Sequence, residues 1–132
     1  MYKIKRNHII EELEIEDNGK VLALSVDLNA DTVLQSYNRA QYKIAQASID
    51  AKKASGKDLD RAQQAMGEAI LGLFEVVFGE KQTMQIVDFY GNRPLEMLGD
   101  IAPFISDVVA PKIQAAQQQV EEKYKQVTNR AK

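Results

Sequence analysis

Apolar and polar residues alternate through the first 28 positions and mirror each other about Asn18-Gly19. Asn-Gly supplies the two positive-φ residues of a type I′ turn, the preferred two-residue hairpin connection. With that pair as the loop, Asp17 meets Lys20, Ile15 meets Leu22, Leu13 meets Leu24, Glu11 meets Val26 and Ile9 meets Leu28. The other face sets Glu16 against Val21, Glu14 against Ala23, Glu12 against Ser25 and Ile10 against Asp27. One face is therefore apolar except for Glu11, and the other is mostly polar. A one-residue slip would put Glu14 against Leu22 and mix the faces, so the pattern selects this register. Glu11 points to the core side, where it lies at a sheet edge or meets a cation such as Lys3 or Arg39. Residues 2–5 are a candidate third strand with Ile4 inward, bent away at Asn7-His8. An isolated hairpin is marginal in water, so helices must cover its apolar face.

Beyond residue 29 the period changes to that of a helix. Asn29 or Asp31 is a suitable cap. Val33, Tyr37, Ala40, Ile44, Ala47 and Ala51 form a stripe, with Leu34 beside it. Its second half is alanine, which allows close approach but buries little area. Ser55-Gly56 ends this helix, Gly56 in the left-handed position after it. Asp58 caps the next helix, whose inner face is Leu59, Ala62, Met66, Ala69, Ile70, Leu73, Val76 and Val77, widened by Phe74 and Phe78. Gly67 and Gly72 read as close-packing sites. Gly79 stops the helix. Residues 80–90 make a short one with Met84, Ile86, Val87 and Phe89 apolar, and Gly91-Asn92 turns the chain.

Pro94 suits a first helical turn, and Leu95, Leu98 and Ile101 continue an apolar face. Pro103 starts a last helix to about residue 128, striped with Phe104, Ile105, Val108, Val109, Ile113, Ala116, Val120, Tyr124 and Val127. Pro111 inside it predicts a kink. The expected architecture is α+β: an antiparallel hairpin of two or three strands packed on four to five helices. A single domain over 1–132 is expected, with the hairpin at 1–28, a helical body at 31–110 and a helical arm at 111–132. Residues 73–91, the densest apolar and aromatic stretch, are the expected centre.

Composition narrows the function classes. A chain of 132 residues with 45% apolar and 27% charged residues is long enough to bury a core without metal or disulfide. A net charge of −2 argues against nucleic acid as the main ligand, which calls for a basic excess. The absence of cysteine excludes disulfides, thiolate nucleophiles and cysteine-ligated zinc. No apolar run approaches the roughly 20 residues of a membrane span, and residues 1–12 lack a secretory apolar core. A soluble, unexported protein without membrane contact is expected.

No catalytic motif emerges. His8 is the only histidine, and no nucleophile–base spacing surrounds it. The acidic run Glu11, Glu12, Glu14, Glu16 and Asp17 imitates a calcium loop about Gly19, but Ser25 stands where the closing glutamate belongs. It reads as a solvated strand face. The glycines 67, 72 and 79 lack the Lys-Ser/Thr ending of a phosphate loop. Lys52, Lys53, Lys57 and Arg61 have no interleaved aromatic for base stacking. Glu75 is the acid expected to be partly buried. No enzyme, cofactor or metal is expected.

Phe78-Gly79-Glu80-Lys81-Gln82 and Ile86-Val87-Asp88-Phe89-Tyr90-Gly91-Asn92, followed by Ile101-Ala102-Pro103-Phe104-Ile105 and Val109-Ala110-Pro111-Lys112-Ile113, carry a resemblance. In these motifs and in the order of its elements, the chain resembles tail assembly chaperones of long-tailed bacteriophages and prophages of Gram-positive bacteria. The resemblance implies a non-catalytic protein of the host cytoplasm. It would hold the tape measure protein soluble until tail tube protein polymerises around it, and a homo-oligomer is compatible with that role. Alternatives are a structural completion or connector protein of the mature tail and a small phage adaptor that binds a host protein. A chaperone of a helical client needs an exposed apolar face with a polar rim. Tyr90, Phe104, Val108, Val120 and Tyr124 are the candidate protein-binding residues.

Overall fold

The computed structural model describes residues 1–4 and 8–130. Strands β1 (His8–Asp17) and β2 (Lys20–Asn29) form a two-stranded antiparallel sheet in the expected register, from Asp17 opposite Lys20 to His8 opposite Asn29. Asn18 and Gly19 take φ of 52° and 86°, as a type I′ loop requires. Residues 1–4 carry no strand and Ile4 is exposed, so the expected third strand is not present there; the rest of that stretch lies outside the described residues.

Three helices follow: α1 (Ala30–Lys53), α2 (Lys57–Tyr90) and a last helix, long and bent. The last comprises α3 (Pro94–Phe104), a π-helical turn (Ile105–Val109) and α4 (Ala110–Arg130). This corrects the expectation of four to five. Gly79 takes φ 80° and ψ 163° inside α2, which kinks it. The carbonyls this break exposes are met by the next turn: Gln82 Nε2 donates to the Phe78 carbonyl at 2.9 Å and Thr83 Oγ1 to the Gly79 carbonyl at 2.7 Å. These two bonds keep the Phe78 and Gly79 carbonyls paired as the helix resumes. Pro103 likewise lies within α3 rather than starting a helix.

The bend has a local cause. Pro111 has no N–H for the Asp107 carbonyl, and its ring crowds that residue. The preceding turn is wider, and the Ala110 N–H bonds to the Ile105 carbonyl, five residues back. The wide turn also suits the core. Met97, Ile101, Ile105, Val109 and Ile113 are all buried at four-residue intervals. In a regular helix that spacing drifts by about 40° per step, and a turn of more than four residues offsets part of the drift.

Several expectations shift in detail. The candidate caps Asn29 and Asp31, and Leu34, have side chains outside the described residues. α1 ends at Lys53, and Gly56, at φ 61° and ψ −127°, leads into α2 instead of closing α1 in the left-handed conformation. Asp58 falls in the first turn of α2 and Glu75 is exposed. Gly67 faces Pro94, where an added Cβ would sit 3.5 Å from its ring, whereas Gly72 meets open space. Met84 is exposed: after the kink the inward face is Thr83, Ile86, Val87 and Tyr90. Gly91, at φ 67° and ψ 36°, ends α2, with the Gly91 N–H on the Asp88 carbonyl and the Asn92 N–H on that of Val87, a Schellman closure.

One core joins these elements. Leu24, Val26 and Leu28 of β2 meet Ile70, Leu73, Phe74, Val77 and Phe78 of α2, together with the buried stripe of the last helix. The alanine-rich stripe of α1 closes one side, with Val33, Ala40 and Ala47 buried. Residues 73–91 are thus central: they cover the hairpin, as their apolar density predicts.

Candidate interaction surfaces

Residue by residue, the predicted binding positions separate into two groups. Phe104 is half-buried and stacked on Phe78, ring centroids 6.3 Å apart. Val108 is half-buried in the π-helical turn. Tyr90 is half-buried against the core, edge-on to Phe89, and donates its hydroxyl to Asp100 Oδ2 at 2.9 Å. Burial above all, then the hydrogen bond to Asp100 and its charge, push the phenol up to about 12.

Val120 and Tyr124 lie beyond the core. With Val127 they are 43%, 73% and 65% exposed. Steps of four and three place them on one face of α4, in line with half-buried Ala116 and buried Ile113. α4 therefore begins against α1 and ends as an apolar stripe facing solvent, rimmed by Gln119, Glu121, Glu122, Lys123 and Gln126. The structure brings Val120 and Tyr124 together there and does not join Tyr90, Phe104 and Val108 to them as one exposed patch.

A second apolar surface was not anticipated. The ends of α1, α2 and α3 leave a groove of about 550 Å³ lined by Ala51, Leu59, Met66, Ile70, Pro94 and Leu95 among others. Leu59 and Leu95 are exposed, although periodicity put both on inner faces. The signal lay in α1: its last turns offer Ser48 and Ala51, too small to cover a leucine.

Several polar contacts tie elements together. Glu11 pairs with Lys112 of α4, which settles its partner as neither Lys3 nor Arg39. His8 Nδ1 lies 3.1 Å from Asp27 Oδ1. Gln82, at the α2 kink, also reaches the outer side of β2: its Oε1 accepts the Ser25 N–H at 2.8 Å and its Nε2 donates to the Ser25 carbonyl at 2.6 Å. One side-chain amide thus stands in for a residue of a neighbouring strand. Sequence reasoning missed this clamp; a glutamine three residues past a helix-breaking glycine is its only trace. Among the described residues no three of His, Cys, Asp and Glu gather as a metal site, and no helix is long and apolar enough to cross a membrane. Comparison of the chain with protein families, curated proteins and solved structures gave no match.

Proposed function

We propose that this chain is a non-catalytic binding protein for a helical client, and that it acts as a phage tail assembly chaperone whose client is the tape measure protein. The observation that supports the reading is the arm. Val120, Tyr124 and Val127 form an exposed apolar stripe at helical spacing, with polar residues on both sides. Such a stripe accepts the apolar face of a second helix, anchored at i, i+4 and i+7. The client's identity comes from the resemblance carried by Phe78-Gly79-Glu80 and Phe89-Tyr90-Gly91. Tail tube protein would follow onto the client as the chaperone leaves, in the host cytoplasm. Weak self-association through the same stripe fits many copies along one long client.

Co-expression with the tape measure protein tests this reading. Tyr124→Glu, or truncation after Ile113, is expected to leave the body folded by circular dichroism while the client moves to the insoluble fraction. Full client solubility with the truncated chain would overturn the role of the arm. Mass spectrometry of purified virions separates chaperone from tail component: a chaperone is absent from finished particles, and stoichiometric amounts would favour the connector alternative.

A further inference from the structure

The two edges of the hairpin differ. Asp17 and Lys20 close the type I′ loop as a hydrogen-bonded pair, and bonded and non-bonded pairs then alternate along the ladder. Odd-numbered residues of β1 bond to β2, and even-numbered residues turn their N–H and C=O outward. Ser25, opposite Glu12, confirms the phase, because both its backbone groups are held by Gln82 on the far side of β2. The matching outward groups on β1 belong to Ile10, Glu12, Glu14 and Glu16, and among the described residues nothing bonds to them.

The side chains around that edge indicate what it would accept. Glu12, Glu14 and Glu16 are exposed, and among the described residues none pairs with a cation. On the inner face Leu13 and Ile15 are only half-buried, while Leu24, Val26 and Leu28 of β2 are fully covered. A strand laid beside β1 would complete that cover. Residues directly opposite in a ladder share a face, so its alternate side chains would sit over the three glutamates and the others beside Leu13 and Ile15. A second copy of β1 is a poor occupant, since it would set glutamates against glutamates.

We propose that the outer edge of β1 binds an extended basic segment of a partner chain as a third strand. Lysine or arginine at its alternate positions would face Glu12, Glu14 and Glu16, with apolar residues between them over Leu13 and Ile15. The backbone ladder holds the segment, and the charge pattern selects its sequence and register.

Titration of the full chain with a synthetic heptapeptide of alternating lysine and valine tests this, with amide shifts and hydrogen exchange read by NMR. The expected result is saturable binding with slowed exchange at Ile10, Glu12, Glu14 and Glu16. Binding should weaken about tenfold or more for the triple variant Glu12→Lys, Glu14→Lys, Glu16→Lys and in high salt. On the unaltered protein, the same peptide N-methylated at every residue keeps its charge but has no N–H to give the ladder, so its binding should be lost. Equal binding of the N-methylated peptide would overturn the proposal, as would shifts mapping away from β1. Protection of the β1 amides by self-association without peptide would assign the edge to a second copy and overturn it too.

Discussion

The last helix contains two regions with the same spacing and opposite surroundings. From Met97 to Ile113 every fourth residue is apolar and at most 1% exposed. From Val120 to Val127 the apolar residues keep a helical spacing and stand in solvent. Periodicity therefore names a face and does not say whether anything lies against it. The division falls where α1 and β1 cease to provide cover, past Pro111 and the wide turn before it. The body half is part of the core. The arm half is a surface, flanked by exposed glutamines and charged residues.

The largest test of that contrast is a matched pair of truncations to alanine. Ile105→Ala removes a fully buried side chain and should cost about 2–5 kcal/mol in urea unfolding. Val120→Ala on the arm should stay within about 0.5 kcal/mol. Equal costs would mean that the arm is packed like the body. A smaller loss, about 1–3 kcal/mol, is expected for Gln82→Ala, which frees the Phe78 carbonyl and both backbone groups of Ser25 at once. Faster hydrogen exchange at Ser25 should accompany it. The smallest effect concerns Tyr90. Its phenol titrates near 10 in an unfolded chain and at about 12 when folded, so the folded state holds that proton more tightly. The contribution is complete below pH 10 and is lost as pH rises from 10 to about 12. Tyr90→Phe should flatten the stability profile over that window in thermal melts, and an unchanged slope would remove Tyr90 from the account.

Local rules were readable where they did not depend on distant partners. Asn18-Gly19 and strict alternation specify the hairpin and its register, because slipping by one residue would turn every side chain to the wrong face. Gly91-Asn92 and Pro94 mark a helix end and a helix start for reasons of backbone geometry. Gly79 was legible as a break but not as a kink, since Gln82 and Thr83 donate to the Phe78 and Gly79 carbonyls across it. Glu11 was legible as an inward acid, but its partner Lys112 comes from the far end of the chain. Of the candidate site, Val120 and Tyr124 are exposed while Phe104 and Val108 are half-buried. The groove at Leu59 and Leu95 was hidden because helical spacing cannot reveal that α1 faces it with the small Ser48 and Ala51.

By itself the sequence determines the α+β class, the hairpin register and the inward face of most helical segments, because turn chemistry and side-chain period act over a few residues. Tertiary structure decides the rest: that the breaks at Gly79 and before Pro111 bend α2 and the last helix instead of dividing them, that Gln82 holds Ser25 on one sheet edge while, among the described residues, nothing bonds to the other, and that the apolar stripe of the last helix is fully covered only as far as Ile113. Each of these depends on which distant side chain fills the space opposite, and nearby residues carry no record of that.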